Sequence, residues 1–198
     1  PTLVRRAVQT ALTPPTGPVF LSIPVDIQIA ESDGFDLSPP QLPDHRVRPP
    51  LEALRRAVDT LVASSRPGIL AGGRVTEADA VSELVAVAQR LGAPVLSEPG
   101  TTHGRLAFPC DHPLYGQGLP LWAPEIHQRL AEFDTLLVVG MDLFRLYIHQ
   151  EPTRAVPEHV RVIHLDEDPR QLGKNYPLEV ALIGDTKAGL NELDQLLA

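Results

Sequence analysis

Two short apolar runs rich in β-branched residues stand out in the second half of the chain. Thr135-Leu136-Leu137-Val138-Val139 stops at Gly140, and Val160-Arg161-Val162-Ile163-His164-Leu165 stops at Asp166-Glu167-Asp168-Pro169. Runs of this length without polar alternation predict strands buried on both faces, as in a parallel sheet covered by helices. Ligands of such sheets gather at the carboxyl ends of the strands. The loop 140–159 and the turn 166–170 are therefore where function is expected.

The same pattern orders the rest of the chain. Val4, Ala7, Val8 and Ala11 share one face of a helix over 2–12, with Thr2 as its N-cap, and Val19-Phe20-Leu21-Ser22-Ile23 follows as a strand. Residues 24–50 are rich in Pro, Asp and Ser, have no apolar period, and predict an extended linker. Leu51, Leu54, Val58, Leu61 and Val62 then recur at helical spacing, and Gly68-Ile69-Leu70-Ala71 is a strand closing on Gly72-Gly73. Thr76, with Asp79 three residues on, caps a helix whose inner face is Val81, Leu84, Val85, Ala88 and Leu91. Gly92 ends it, and residues 93–97 form the next strand. Residues 98–124 are Gly- and Pro-rich and long for an idle connection, which predicts a functional or interface loop. A helix over 124–133 feeds the strand 136–139. A short helix near 170–173, a strand over 180–183 and a closing helix over 186–197 complete the pattern. Helix and strand alternating in this way predict a doubly wound, Rossmann-like α/β fold: a parallel sheet with helices on both faces and right-handed crossovers, preceded by a helix–strand arm.

Composition narrows the partners. With 198 residues, 43% apolar and 21% charged, the chain can bury a core of ordinary size. Its formal charge of −8 argues against nucleic acid or an anionic membrane as a partner, because both are read by clustered Lys and Arg. No apolar run reaches the length of a membrane span. The single Cys110 cannot form an internal disulfide, which fits a reducing cytoplasm. The chain begins at Pro1 rather than Met, and the expectation is a fragment of something longer.

Candidate chemistry is sparse. Gly72 and Gly73 lie between a strand and a helix amino terminus, where backbone N–H groups could cradle phosphate. Glu98, after the next strand, stands where a ribose-binding acid is expected. The pattern Gly-Gly-Arg-Val-Thr-Glu is not G-x-G-x-x-G, however, and a plain tight turn is the competing reading. Asp166, Glu167 and Asp168 suit a ribose or a divalent ion, or else a solvated strand end that caps the next turn. His103, Cys110 and His112 match no zinc spacing, so no metal site is assigned. No nucleophile elbow, P-loop or paired-carboxylate motif is present. His149, after the central strand, is the one titratable group suspected of touching a substrate.

Several segments together resemble one family. Gly17-Pro18-Val19-Phe20-Leu21-Ser22-Ile23-Pro24-Val25-Asp26 resembles the closing strand of the pyrimidine-binding domain of thiamine diphosphate-dependent enzymes. Phe108-Pro109-Cys110-Asp111-His112-Pro113-Leu114-Tyr115-Gly116, Val139-Gly140, His164 to Pro169 and Ile183-Gly184-Asp185 resemble successive marks of their central domain. Gly140 to Arg145 leading to His149-Gln150 looks most like the benzoylformate decarboxylase branch, and Asp166 to Asn175 more like acetolactate synthase.

The resemblance implies residues 1–30 as a remnant of the pyrimidine-binding domain, 31–50 as a linker, and 51–198 as a central domain. The family takes its catalytic glutamate from the pyrimidine domain, and its Mg²⁺ and diphosphate from a carboxyl-terminal domain with a Gly-Asp-Gly stretch and a distant Asn. Here Thr186 follows Gly184-Asp185, and Asn191 comes only six residues after Asp185. The expectation is a non-catalytic scaffold domain of a 2-keto-acid decarboxylase or carboligase, inactive alone. It would partner the missing pyrimidine and diphosphate domains, in a cytoplasmic homo-oligomer. Thiamine diphosphate and Mg²⁺ belong to the parent. Some family members hold FAD or ADP in this domain; here Gly72, Gly73, Gly140 and Asp166 mark such a site, with an empty site expected. In the benzoylformate decarboxylase branch a His after the central strand reaches the active site. His149 matches it if two extra residues are allowed, and an ungapped match puts Tyr147 there. The competing class is a stand-alone nucleotide-binding module.

Overall fold

The structure, a computed structural model, describes residues 1–31, 34–99, 106–144, 146, 150–151 and 154–198. It divides into two units, 1–45 and 46–198.

The second unit carries a six-stranded, all-parallel sheet. Its strands are β1 (Pro67–Ala71), β2 (Val95–Ser97), β3 (Tyr115–Gly118), β4 (Thr135–Val139), β5 (Arg161–Asp166) and β6 (Val180–Ile183), in the order β3-β2-β1-β4-β5-β6. Successive side chains along each strand face opposite sides, and this alternation builds two cores. Ile69, Ala71, Leu137, Val139, Ile163 and Leu165 bury one face. It is covered by α3 (Leu51–Val62), α5 (Val81–Leu91) and α7 (Thr186–Leu197) through Leu54, Leu61, Leu84, Val87, Leu190 and Leu193. Leu70, Leu136, Val138 and Val162 bury the other face against α6 (Ala123–Leu130), through Ile126 and Leu130, and against Met141, Leu143 and Phe144. Strands apolar on both faces are thus satisfied on both. The doubly wound architecture is as the pattern predicts.

Local chemistry sets the element ends. α5 stops at Gly92, whose φ of 59° is the left-handed conformation that favours glycine at a helix end. Asp185 caps α7 by accepting the Ala188 amide at 2.7 Å, and the Asp185 amide donates to Val47 O at 2.8 Å, tying the approach segment 46–49 to this turn.

Several expectations are corrected. β3 lies inside the presumed loop 98–124: it has no apolar run, yet the edge of β2 offers it a ladder. Thr76 does not cap a long helix. A short α4 (Gly73–Glu77) ends there, Asp79 takes a positive φ of 54°, and α5 starts afresh after Ala80. Residues 170–173 form a turn rather than a helix, because the Asp168 carboxylate accepts both the backbone N–H and Nε of Arg170. Thr2 lies within α1 (Thr2–Leu12) and does not cap it.

The first unit holds α1 and α2 (Val25–Ile29), the latter inside the presumed linker. Val19 to Ile23 is not a strand, and Phe20 is 92% exposed. A strand needs a neighbour for its N–H and C=O groups, and the described residues of this unit supply none. Arg5 pairs with Asp36 at 2.7 Å; Ser38, through its hydroxyl and its amide, and then Arg5 hold the exposed Asp36 carboxyl down to about 2. No helix among the described residues is long and apolar enough to cross a membrane.

Candidate functional site at the carboxyl ends of the strands

The strand order reverses between β1 and β4: from β1 the chain moves outward to β2 and β3, then returns to β4 and proceeds to β5 and β6. Loops leaving β1 and β4 in opposite directions open a crevice, the usual ligand position in open α/β sheets. Gly72 and Gly73 follow β1, Gly140 follows β4, and Asp166 ends β5. The fold brings these four candidate residues together.

The glycines serve close packing. The Gly72 amide donates to Val139 O at 3.0 Å, the Gly140 amide to Leu165 O at 3.0 Å, and the Arg74 amide to Gly140 O at 3.1 Å. A Cβ on Gly72 would meet the Met141 Cβ and lie 2.5 Å from Gly140 O. Gly140 has a φ of 60°, and a Cβ there would lie 3.1 Å from that of Arg74. The two loops cross so closely that a Cβ at Gly72 would clash outright, and one at Gly140 would be tight as well as held in a left-handed conformation.

Arg74 is the centre of the site. Its Nε and Nη2 both donate to Asp166 Oδ2, at 3.0 and 2.7 Å, and Nη2 also reaches Asp142 Oδ1 at 2.9 Å. The other Asp166 oxygen accepts the Asp168 amide at 2.9 Å. Asp166 is fully buried, and this burial pushes its carboxyl above the ordinary range while Arg74 opposes the rise. Burial alone would lower the Arg74 pKa, but Asp166 and Asp142 outweigh it, so the guanidinium is held more firmly charged than usual. Burial likewise raises Glu98, whose carboxylate is turned back onto the Gly73 amide.

The loop after β4 is held residue by residue. Arg74 binds Gly140 O and the Asp142 carboxylate. His164 Nε2 donates to Met141 O at 3.0 Å, and Asn175 Nδ2 donates to Leu143 O at 3.1 Å and Phe144 O at 3.4 Å. Because a carbonyl only accepts, the His164 proton sits on Nε2. Its Nδ1 is buried without a partner, and burial pulls the imidazole down to about 4, so it is neutral. Five consecutive residues, 140–144, are thereby fixed from α4, β5 and the turn after β5.

This arrangement leaves few free groups for a nucleotide. The Gly73 amide is engaged by Glu98, Asp166 is committed at both oxygens, and the Arg74 side chain spans the crevice. His149, like Tyr147 and His103, lies outside the described residues. His112 serves structure: its Nδ1 accepts the Leu114 amide at 3.1 Å, and its Nε2 lies 3.0 Å from Gln89 Nε2. Among the described residues no three His, Cys, Asp or Glu side chains group to hold a metal. Arg74, Asp142, His164 and Asn175 escaped the reading of the sequence. A His inside an otherwise apolar strand and an Arg directly after two glycines were the available signals.

Comparison with known proteins agrees with this geometry. Residues 54–193 match the family described as thiamine pyrophosphate enzyme, central domain. The acetolactate synthase large subunit of Corynebacterium glutamicum is 31% identical over 197 residues, covering 98% of this chain and 30% of that protein. Glyoxylate carboligase of Escherichia coli is 27% identical over 194 residues, covering 98% and 32%. Benzoylformate decarboxylase from Polynucleobacter necessarius superposes with a TM-score of 0.85 at 28% identity, covering 98% of this chain and 35% of that one. The thiamine diphosphate-dependent 4-hydroxybenzoylformate decarboxylase of Rhodococcus jostii superposes at 0.84 with 27% identity, covering 100% and 37%. The chain thus spans about a third of the length of the curated relatives it matches. A family match over residues 54–193, on a sheet with the strand order of dinucleotide-binding domains, makes the chain a member of the thiamine pyrophosphate enzyme family, as its central domain.

Proposed function

We propose that the chain is the scaffold domain of a longer thiamine diphosphate- and Mg²⁺-dependent enzyme. That enzyme decarboxylates a 2-keto acid or joins the resulting carbanion to an acceptor. In this reading residues 1–30 belong to a preceding pyrimidine-binding domain and 31–50 link it to the central domain at 51–198. Further domains complete the active site in a cytoplasmic homo-oligomer, to which this chain contributes His149. The observation that carries the reading is the match over 54–193 to a central domain, on a chain spanning about a third of its relatives.

The residues present do not suit the cofactors themselves. The described residues group no three His, Cys, Asp or Glu side chains for a metal. The Arg74, Asp142 and Asp166 network spans the crevice, and in this reading it holds the loop after β4 while FAD and ADP are not expected there. Calorimetric titration of this chain with thiamine diphosphate and Mg²⁺ should show no saturable heat, and micromolar binding would overturn the scaffold reading. A flavin absorbance band that survives dialysis, or tight retention of ADP, would favour a nucleotide-binding module instead. Release of CO₂ from a panel of 2-keto acids by the full-length gene product tests the parent activity.

A further inference from the structure

A second concavity lies outside the crevice, between the end of the clamped loop and the turn after β5. It is an open pocket of ≈ 700 Å³, lined by Phe144, Leu146, Arg154, Lys174, Asn175 and Tyr176. Its polar lining is one-sided. Arg154 and Lys174 carry positive charge, Tyr176 carries a hydroxyl, and no carboxylate is among the described lining residues. In a chain of net charge −8 such a lining is not the surface average.

The lining is also held in place from behind. Arg154 Nε donates to Val156 O at 3.1 Å. Asn175 Nδ2 is spent on Leu143 O and Phe144 O. The Tyr176 hydroxyl oxygen accepts the Ala155 amide at 3.2 Å, so its own proton remains to donate. The Tyr176 ring meets Phe144 edge-on, with centroids 6.1 Å apart. Lys174 has no side-chain partner among the described residues. Arg154 Nη1 lies 3.3 Å from Glu158, whose side chain is 83% exposed, where such a pair is worth little. Two held donors, Arg154 and Tyr176, and an unpaired Lys174 beside an aromatic and aliphatic wall define a ligand type: an oxyanion at one end and an apolar body at the other.

We infer that this pocket is a binding site for a small organic anion, a carboxylate or phosphate on an aromatic or aliphatic body. Arg154, Lys174 and the Tyr176 hydroxyl engage the oxyanion, and Phe144 and Leu146 engage the body. The inference stands on the pocket and does not depend on the function proposed above.

The test is titration of the 198-residue chain with phenyl phosphate and with benzoate, followed by amide chemical shifts and calorimetry. Inorganic phosphate and benzyl alcohol are the probes that lack one half of the ligand. Expected is saturable binding with shifts at 144, 146, 154 and 174–176. Each half-ligand should bind at least about tenfold more weakly, and 0.5 M NaCl should weaken the anions. Lys174→Gln and Arg154→Ala should each lower affinity about tenfold, the scale of one lost charge-assisted hydrogen bond. The Lys174 side chain is exposed and has no partner among the described residues, so its variant reads binding without a folding penalty. Tighter binding of phenyl phosphate than benzoate assigns a phosphate ligand, and the reverse assigns a carboxylate. Shifts that rise linearly without saturation, or equal affinity in the wild type and Lys174→Gln, overturn the site.

Discussion

Replacing Arg74 by Met keeps the apolar stem in the crevice and removes the cation. At 2.7 Å and an effective dielectric of about 20, Coulomb attraction between guanidinium and carboxylate is about 6 kcal/mol before desolvation. Desolvating the guanidinium takes several kcal/mol back, and breaking a buried pair by removing one partner costs about 3–5 kcal/mol net. The lower value applies here, because the Arg74 side chain is 24% exposed and water reaches part of the gap. Asp166 has one escape, which is to take up a proton. Its native pKa is already raised by burial, and loss of the opposing cation raises it further. A carboxyl whose native pKa exceeds its unfolded value binds more protons folded than unfolded between those two values. Stability therefore falls as pH rises through that window, by about 1.4 kcal/mol per pH unit. Arg74→Met should thus lose about 3 kcal/mol at pH 8 and much less at pH 5, measured by urea unfolding with circular dichroism. Asp166→Asn combined with Arg74→Met should recover most of the loss, since no uncompensated charge is then buried. A loss below about 1 kcal/mol at pH 8, or a deficit that does not vary with pH, would refute the assignment of Arg74 as counter-ion to a buried carboxylate.

His164 is held at about 4 in the folded chain, against 6.5 ordinarily, so the unfolded chain takes up its proton first as pH falls. About 3 kcal/mol of stability should be lost between pH 6.5 and 4 on this account, and the wild-type-minus-His164→Gln difference should show it. That difference is the proper readout, because Glu98 and Asp166, both raised, act in the opposite direction over the same range; identical profiles for the two proteins would remove His164 from the account. Gly72→Ala places a methyl on Met141 and Gly140 O and should cost about 1–3 kcal/mol, whereas Gly118→Ala, with open space at its Cβ, should cost under about 1 kcal/mol; equal urea midpoints for the two would contradict the crossing. Among the described residues the buried core begins at Ala53, so deleting residues 1–45 should leave the melting temperature of 46–198 within about 2 °C. A larger drop by differential scanning calorimetry would show that the second unit draws stability from the first.

How far the pattern of apolar residues reaches is clearest where it fails. β4 and β5 were legible because both faces of each are buried, so nothing but apolar side chains can stand there. β3 was not legible: Tyr115-Gly116-Gln117-Gly118 has no apolar run, and the strand forms because β2 presents an unpaired edge. The Val95 amide donates to Leu114 O at 2.8 Å, and the Leu119 amide to Ser97 O at 2.9 Å. Val19 to Ile23 is the converse, a strand's side-chain pattern with no ladder to join. Periodicity thus reports what the side chains require, while a strand also requires a partner for its backbone.

The same division runs through the site. Gly72, Gly73, Gly140 and Asp166 could be placed at one end of the sheet from the α/β pattern alone, because strand ends are set by breakers. Their use could not, because Arg74 meets Asp142 and Asp166 across 68 and 92 residues of chain. A fully buried Asp at a strand end demands a cation, and that demand is readable in any chain of this pattern. Which cation answers depends on how closely two loops cross, and here that is set by two missing Cβ atoms, at Gly72 and Gly140. A Cβ at Gly72 would force the β1 loop away from Gly140 O, and one at Gly140 would press directly on Arg74, the residue that must reach Asp166. The glycines that suggest a phosphate cradle also bring an arginine against a buried carboxylate.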